Sequence, residues 1–143
     1  GAVPLLIEIK EDAGNCRVSE RLVEELRDYK GKYIIESFNP LLVARYGKLA
    51  PHVMRGVLVT KYKRDGEDRG ALGFALQNLF LNLLARPDFI AARHVYGRYF
   101  PTWLCRKLGA VTFAWTIRTK EEYDACRENF DAYIVENVQD MME

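Results

Sequence analysis

The run Leu5-Leu6-Ile7-Glu8-Ile9-Lys10 is typical of a buried β-strand that carries a carboxylate and an ammonium group near its end. Successive side chains of a strand point to opposite faces, so Glu8 and Lys10 share one face, and Ile7 and Ile9 share the other. In a parallel α/β sheet, ligands bind at the carboxyl ends of the strands. The run therefore predicts a polar site at one end of such a sheet. The alternative is a plain salt bridge between Glu8 and Lys10.

Five further strand patterns follow, each separated from the next by a helical pattern. This alternation predicts a parallel sheet with right-handed crossovers. Both an open doubly wound sheet and a (β/α)₈ barrel fit, although no G-x-G-x-x-G or G-x-x-x-x-G-K-[ST] loop follows any strand, which disfavours a nucleotide-binding open sheet. A barrel needs eight strands and about 250 residues, so this chain would be an incomplete one. The five predicted strands are 33–38, 55–62, 89–94, 111–117 and 132–136.

Capping residues predict where several helices begin and end. Ser19 is a candidate N-cap of the first helix, and Asn39 followed by Pro40 starts the second. Thr119, with a glutamate three residues later, has the spacing of a capping box. Gly109 is expected to close the helix that precedes the fifth strand.

The length predicts that residues 1–143 form one domain or a large piece of one, and 49% hydrophobic residues are enough for a core. The net charge is +1. This charge gives no reason to expect a nucleic-acid partner. The three cysteines form no C-x-x-C pair and are interpreted as free thiols, which favours a reducing compartment. The abrupt start in a strand pattern predicts a fragment of a longer protein.

Residues 71–86 are almost continuously apolar. Sixteen residues are too few for a comfortable membrane span. The favoured interpretation is a helix buried against the sheet. The alternative is a contact with a missing part of the protein, a second subunit or a membrane surface.

Six short motifs, taken in order, resemble the C-terminal three quarters of a glycerophosphodiester phosphodiesterase domain. Each is weak alone, but Ser-Phe-Asn-Pro and Trp-Thr-Ile at the ends of separate strands, after Ile-Glu-Ile-Lys, are specific together. The resemblance covers about residues 4–137. The motifs are Ile-Glu-Ile-Lys (7–10), Glu-Ser-Phe-Asn-Pro (36–40), Arg-Gly-Val-Leu-Val (55–59), Ala-Arg-His (92–94), Ala-Trp-Thr-Ile (114–117) and Ile-Val-Glu-Asn (134–137).

This resemblance implies a TIM (β/α)₈ barrel, of which the chain supplies strands three to eight, and a divalent cation, Mg²⁺ or Ca²⁺. It implies that Glu8 is a metal ligand and that Lys10 lies beside the phosphate. A hard cation and a lysine together would neutralise the anionic phosphodiester. Phe38 matches a pocket position, and Trp115 matches a tryptophan that walls the substrate pocket. The alternative for Trp115 is an aromatic side chain of the barrel core.

The acid/base histidines and the other metal carboxylates of the family belong to its first two strands, which precede this chain, so no catalytic residue is expected here. His94 matches a histidine that often ends the sixth strand, and a substrate-binding place at the pocket rim is favoured over catalysis. Val95 and Glu136-Asn137 depart from the family pattern. His52 lies between a helix and a strand, at the wrong end of the sheet for catalysis.

The expected function is hydrolysis of a small glycerophosphodiester to glycerol 3-phosphate and an alcohol by the whole protein, in the cytoplasm or at the cytoplasmic face of a membrane. The chain alone is expected to be inactive. The alternative is a non-catalytic module that binds a phosphoryl ligand or assembles. A homo-oligomer would form through open sheet edges or through residues 71–86, and membrane association of the whole protein stays open.

Overall fold

The computed structural model describes residues 3–10, 17–60 and 85–136. Within these ranges, six parallel strands lie side by side in chain order and curl into half of a barrel, with helices between them. The predicted parallel α/β architecture is therefore confirmed. The strands are β1 (Leu5–Glu8), β2 (Tyr33–Ser37), β3 (Arg55–Val59), β4 (Phe89–Arg93), β5 (Val111–Ile117) and β6 (Ala132–Val135). The helices are α1 (Arg17–Glu25), α2 (Pro40–Leu49), α3 (Phe100–Lys107) and α4 (Lys120–Cys126), with 3₁₀ turns at His94–Tyr96 and Arg127–Asn129.

Register separates the sheet into two faces. Glu8 lies beside Glu36, Glu36 beside Gly56, and Gly56 beside Phe89, so these four residues share one face, which we call the inner face. The opposite face packs against the helices. Its buried side chains include, from the strands, Ile9, Ile35, Val57, Val59, Ile90, Ala92 and Ala114 and, from the helices, Leu42, Val43, Tyr46 and Cys126.

The inner face carries its own apolar cluster, centred on Phe89. The ring of Phe89 stacks on that of Phe113 with centroids 4.6 Å apart. A side chain at Gly56 would overlap the Phe89 ring, so the glycine makes room for it. The members of this inner cluster are Leu58, Phe89 and Ala91, with Ile34, Phe38, Phe113 and Trp115 packed against them.

Two of the predicted helix starts are confirmed. The side chain of Asn39 accepts a hydrogen bond from the backbone N–H of Leu41 at 2.9 Å, and Pro40 follows it as the first helical residue. Thr119 Oγ1 accepts from the N–H of Glu122 at 3.3 Å. The Glu122 carboxylate accepts from the N–H of Arg118, one residue before the cap.

The predicted close of α3 is also confirmed, because Gly109 adopts a φ of 93°. The N–H of Ala110 donates to the oxygen of Cys105, and the N–H of Gly109 donates to that of Arg106. This pair of bonds is a Schellman motif, which satisfies carbonyl groups of the last turn.

The predicted cap at Ser19 is wrong. Helix α1 already includes Arg17, so Ser19 lies inside the first described turn, and it is fully buried. Its hydroxyl has no hydrogen-bond partner among the described residues. The burial of this residue thus outweighs the local preference of serine for a cap.

At the amino ends of two strands, an aspartate accepts a hydrogen bond from the backbone of the neighbouring strand. Asp88, just before β4, accepts a 2.9 Å hydrogen bond from the N–H of Arg55 at the start of β3. Asp131, just before β6, accepts from the N–H of Thr112 at 2.8 Å and from its hydroxyl at 2.7 Å, and Arg106 approaches the same carboxylate at 3.3 Å. Each aspartate thus fixes one strand to the next at the edge opposite the candidate site.

Part of the predicted helix 71–86 lies outside the described residues, which resume at Ala85. Strand β3 ends at Val59, and the last two residues of its predicted extent also lie outside them. No helix in the described ranges is long and apolar enough to cross a bilayer.

Candidate functional site

Two aromatic side chains mark the carboxyl ends of β2 and β5 on the inner face. The rings of Phe38 and Trp115 meet edge to face, with centroids 5.6 Å apart. The indole N–H of Trp115 donates a 2.9 Å hydrogen bond to the backbone oxygen of Ala91. Both rings are half-buried against the inner cluster, so they are fixed in place while part of each surface stays accessible. Their role in binding a substrate stays a prediction.

A pair of carboxylates lies at the ends of β1 and β2 on the same face. Glu8 is exposed, and its register partner Glu36 is only 5% exposed. The Oε2 atom of Glu36 has no hydrogen-bond partner in the described part of the chain. Burial, and secondarily the charge of Glu8, raises the pKa of Glu36 to about 7.

Sequence reasoning did not select Glu36 as a site residue. The available signal was an acidic residue inside the β-branched run of β2, two positions before Phe38 and therefore on the same face. A charged residue in such a run is seldom buried without a partner. Its importance became visible only when the register placed it beside Glu8.

Backbone contacts hold the end of the first strand in place. The N–H of Ile9 donates to the oxygen of Glu36 at 2.7 Å, and the hydroxyl of Ser37 donates to the oxygen of Ile9 at 2.6 Å. Ser37 Oγ also accepts from the N–H of Asn39, which caps α2. These hydrogen bonds continue the pairing of the two strands one residue beyond Glu8. The backbone immediately before Lys10 is therefore held in place.

Lys10 is exposed, and among the described residues no ion pair joins it to Glu8. The salt bridge that was the alternative reading of the first strand is therefore not formed. Arg93 ends β4 beside Trp115 in register. Its guanidinium carbon lies 6.0 Å from the centre of the Tyr96 ring.

The contacts of the two histidines are with other parts of the structure than the carboxylate pair. His94 begins the 3₁₀ turn after β4, and its Nε2 is 3.7 Å from the Glu122 carboxylate of α4. Its Nδ1 is buried without a partner in the described ranges. The substrate-binding role assigned to His94 stays a prediction. His52 is exposed and, with Tyr33 and Met54, lines a cleft at the amino ends of the strands.

The carboxylate pair fits part of the coordination shell of a hard cation. Mg²⁺ and Ca²⁺ prefer oxygen ligands, and Oε2 of Glu36, which accepts no hydrogen bond from the described residues, lies beside Glu8 in register. The described residues contain no group of three or more histidine, cysteine, aspartate or glutamate side chains placed to hold a metal. The pair by itself thus offers two carboxylates to such an ion.

Solved structures with a similar fold include glycerophosphodiester phosphodiesterases. The enzyme from Thermotoga maritima superposes with a TM-score of 0.62 at 19% identity, over 91% of this chain and 53% of its own. The enzyme from Parabacteroides distasonis gives a TM-score of 0.65 at 17% identity, over 97% of this chain and 56% of its own. These TM-scores show that the chain has the fold of about half of a TIM barrel, and at such low identities the likeness shows the fold alone.

This chain spans about half the length of the solved structures that it matches. Neither a protein-family model nor a curated protein matches the sequence.

Proposed function

We propose that this chain forms strands three to eight of a metal-dependent phosphodiesterase barrel that hydrolyses glycerophosphodiesters to glycerol 3-phosphate and an alcohol. The observation that carries the proposal is the superposition on enzymes named for that activity. Its support from the chain itself is the placement of Glu8, Phe38 and Trp115 on one face at the carboxyl ends of the strands. In TIM barrels this is the end that holds the active site.

In this proposal, each side chain has a role that follows from its position. Glu8 would hold a divalent cation, which would supply charge neutralisation for the phosphodiester. Lys10 would reach the phosphate as a flexible positive charge. Phe38 and Trp115 would form an apolar wall for the rest of the substrate. Because the indole is anchored to Ala91, the wall would be preorganised before binding.

Proton transfer is assigned to histidines that this chain does not contain. When the phosphodiester is cleaved, an acid must protonate the departing alkoxide. His94 is not assigned this role, because its Nε2 faces the carboxylate of Glu122 in α4 and not the pair formed by Glu8 and Glu36. We therefore expect the 143-residue chain alone to bind a ligand without hydrolysing it.

Ligand binding can be followed through the indole at the site. The chain has two tryptophans, and Trp103 on α3 is 46% exposed. In a Trp103→Phe variant, Trp115 becomes the only indole, and glycerophosphocholine or glycerol 3-phosphate should change its emission saturably. Lys10→Ala should weaken this response by about tenfold, since one charge contact to phosphate is lost. Lys48→Ala, an exposed lysine at the end of α2, is the matched control.

Hydrolysis is tested in a longer protein that contains this chain after the expected histidines. With Mg²⁺ or Ca²⁺ present, it should release glycerol 3-phosphate from glycerophosphocholine, and Glu8→Gln should abolish that release. Saturable binding with no hydrolysis by the longer protein would favour the non-catalytic module. Clear hydrolysis by the 143-residue chain alone would contradict the assignment of proton transfer to residues outside it.

A further inference from the structure

Glu36 is buried in a way that is costly for a carboxylate. Its side chain is 5% exposed, and Oε2 has no hydrogen-bond partner among the described residues. Buried carboxylates in proteins are usually paired with a cation or coordinate a metal. The arrangement therefore calls for a positive partner at Oε2.

The neighbouring carboxylate makes this need stronger. Glu36 and Glu8 are register partners on adjacent parallel strands, which lie about 4.8 Å apart, so their side chains leave the sheet side by side. The hydrogen bond from the backbone N–H of Ile9 to the backbone oxygen of Glu36 fixes this register next to the two carboxylates. Two like charges at this spacing repel each other unless a cation or a proton lies between them.

We propose that Glu36 and Glu8 together bind one divalent cation, with Glu36 as a metal ligand that the family resemblance does not supply. The proposal rests on the proposed function only for the role of Glu8. Carboxylate oxygens bind Mg²⁺ at about 2.0–2.1 Å and Ca²⁺ at about 2.3–2.6 Å, distances that two long side chains from adjacent strands can satisfy. Glu8 is exposed, so the ion would enter from its side and meet the buried oxygen of Glu36 behind it.

The position of Glu36 in the fold suits a ligand. Ser37, the next residue, bonds to Ile9 and to the cap of α2, so the end of β2 has little freedom to move. A ligand on such a rigid element keeps its geometry when the ion leaves. Ion binding should consequently change the surroundings of β1 and β2 without rearranging the sheet.

The test uses Mn²⁺ as the probe and amide NMR signals as the readout, at pH 8 and without substrate. Paramagnetic Mn²⁺ broadens amide signals near its site, so substoichiometric Mn²⁺ should broaden those of residues 8–9 and 36–37, and excess Mg²⁺ should restore them. Glu36→Gln and Glu8→Gln should each weaken the Mn²⁺ affinity by about tenfold or more, because each removes one ligand. Glu25→Gln, an exposed glutamate at the end of α1, should leave the broadening unchanged.

The same spectra show whether each variant is folded. If Glu36→Gln does not fold, a second variant, Glu36→Asp, is tested by thermal unfolding. Thermal unfolding of the unaltered chain should shift upward with Mg²⁺, and the shift should be lost in a folded Glu36→Asp variant, whose shorter carboxylate cannot reach. Broadening that persists in Glu36→Gln and disappears only in Glu8→Gln would overturn the proposal. If the unaltered longer protein shows Mn²⁺ broadening but hydrolyses no glycerophosphodiester, the proposed function is rejected and the cation site is retained.

Discussion

The hydroxyl of Ser37 donates a 2.6 Å hydrogen bond to the backbone oxygen of Ile9 and fastens the end of β1 to β2. Ser37→Ala is expected to lower the free energy of unfolding by about 1–2 kcal/mol, because a buried carbonyl loses its partner. Urea unfolding measures the change. Ser19→Ala is the matched control: Ser19 is buried too, but its hydroxyl bonds to none of the described residues, so its removal should cost little. Equal losses in both variants would contradict the assignment.

Stability should depend on pH through Glu36. Its pKa is about 7 in the folded chain against an ordinary value of 4.5, so the folded state binds more protons between these two pH values. The free energy of unfolding should therefore be highest below pH 4.5, fall as the pH rises, and level off above pH 7. The loss is on the order of 3 kcal/mol.

Glu36→Gln should remove this pH dependence and be the more stable protein at pH 8, measured by urea unfolding in buffer with EDTA. Glu25→Gln, whose carboxylate is exposed, should keep the slope of the unaltered chain. A slope that survives in Glu36→Gln would show that another group carries it.

Gly56 should tolerate no side chain. In Gly56→Ala, the new methyl group would overlap the ring of Phe89, which is fully buried and stacked on Phe113. Overpacking of this kind costs about 1–3 kcal/mol, which denaturant unfolding can detect. Gly47→Ala is the control, because its methyl group meets the flexible side chain of Arg55 and alanine favours the helix. Phe89→Leu should recover part of the loss in the Gly56→Ala background.

Asp131 should matter for stability although it is exposed. Asp131→Ala removes the acceptor for the N–H and hydroxyl of the buried Thr112, and a loss of about 1–3 kcal/mol is expected. Burial alone would raise the pKa of Asp131, but the bonds from Thr112 and the charge of Arg106 outweigh it, so the pKa lies below the usual value. Its stabilising effect is thus lost as the pH falls.

The control for Asp131 is Asp124→Ala in α4. The ion pair that Asp124 forms in the described part of the chain is an exposed one with Arg127 at 3.8 Å, and such pairs contribute at most about 1 kcal/mol. Urea unfolding of the two variants at neutral pH compares them directly. A similar small effect in both would mean that the aspartate before β6 is not needed to anchor β5.

Much of the fold was predictable because local signals and packing agree. Strand β5 begins at Val111 and ends at Ile117, as its β-branched and aromatic pattern predicts. Asn39 and Thr119 cap their helices through side-chain oxygens that need no tertiary partner. Ser19 does not cap its helix, because it is buried inside the first described turn of α1. The local preference of serine for a cap position is weaker than the effect of burial.

The candidate site was less predictable, since its chemistry depends on neighbours across strands. Glu8 was selected from its own strand, and Phe38 and Trp115 from the family resemblance, and the structure brings the two rings together. Glu36 was missed because its significance comes from lying beside Glu8, and register between strands 28 residues apart cannot be read from either strand alone. For His94, the pattern could not indicate that Glu122 would be its neighbour.

The order of the strands has a consequence for how the polypeptide reaches this structure. Each described strand that adjoins another in the sheet is also its neighbour along the chain, so every pairing closes one loop between consecutive strands. The entropic cost of closing a loop grows only slowly with the length of the loop. In this sheet, the cost is divided among successive strand pairings. The sheet can therefore grow one unit at a time as the nascent chain leaves the ribosome, each new strand finding its template already in place.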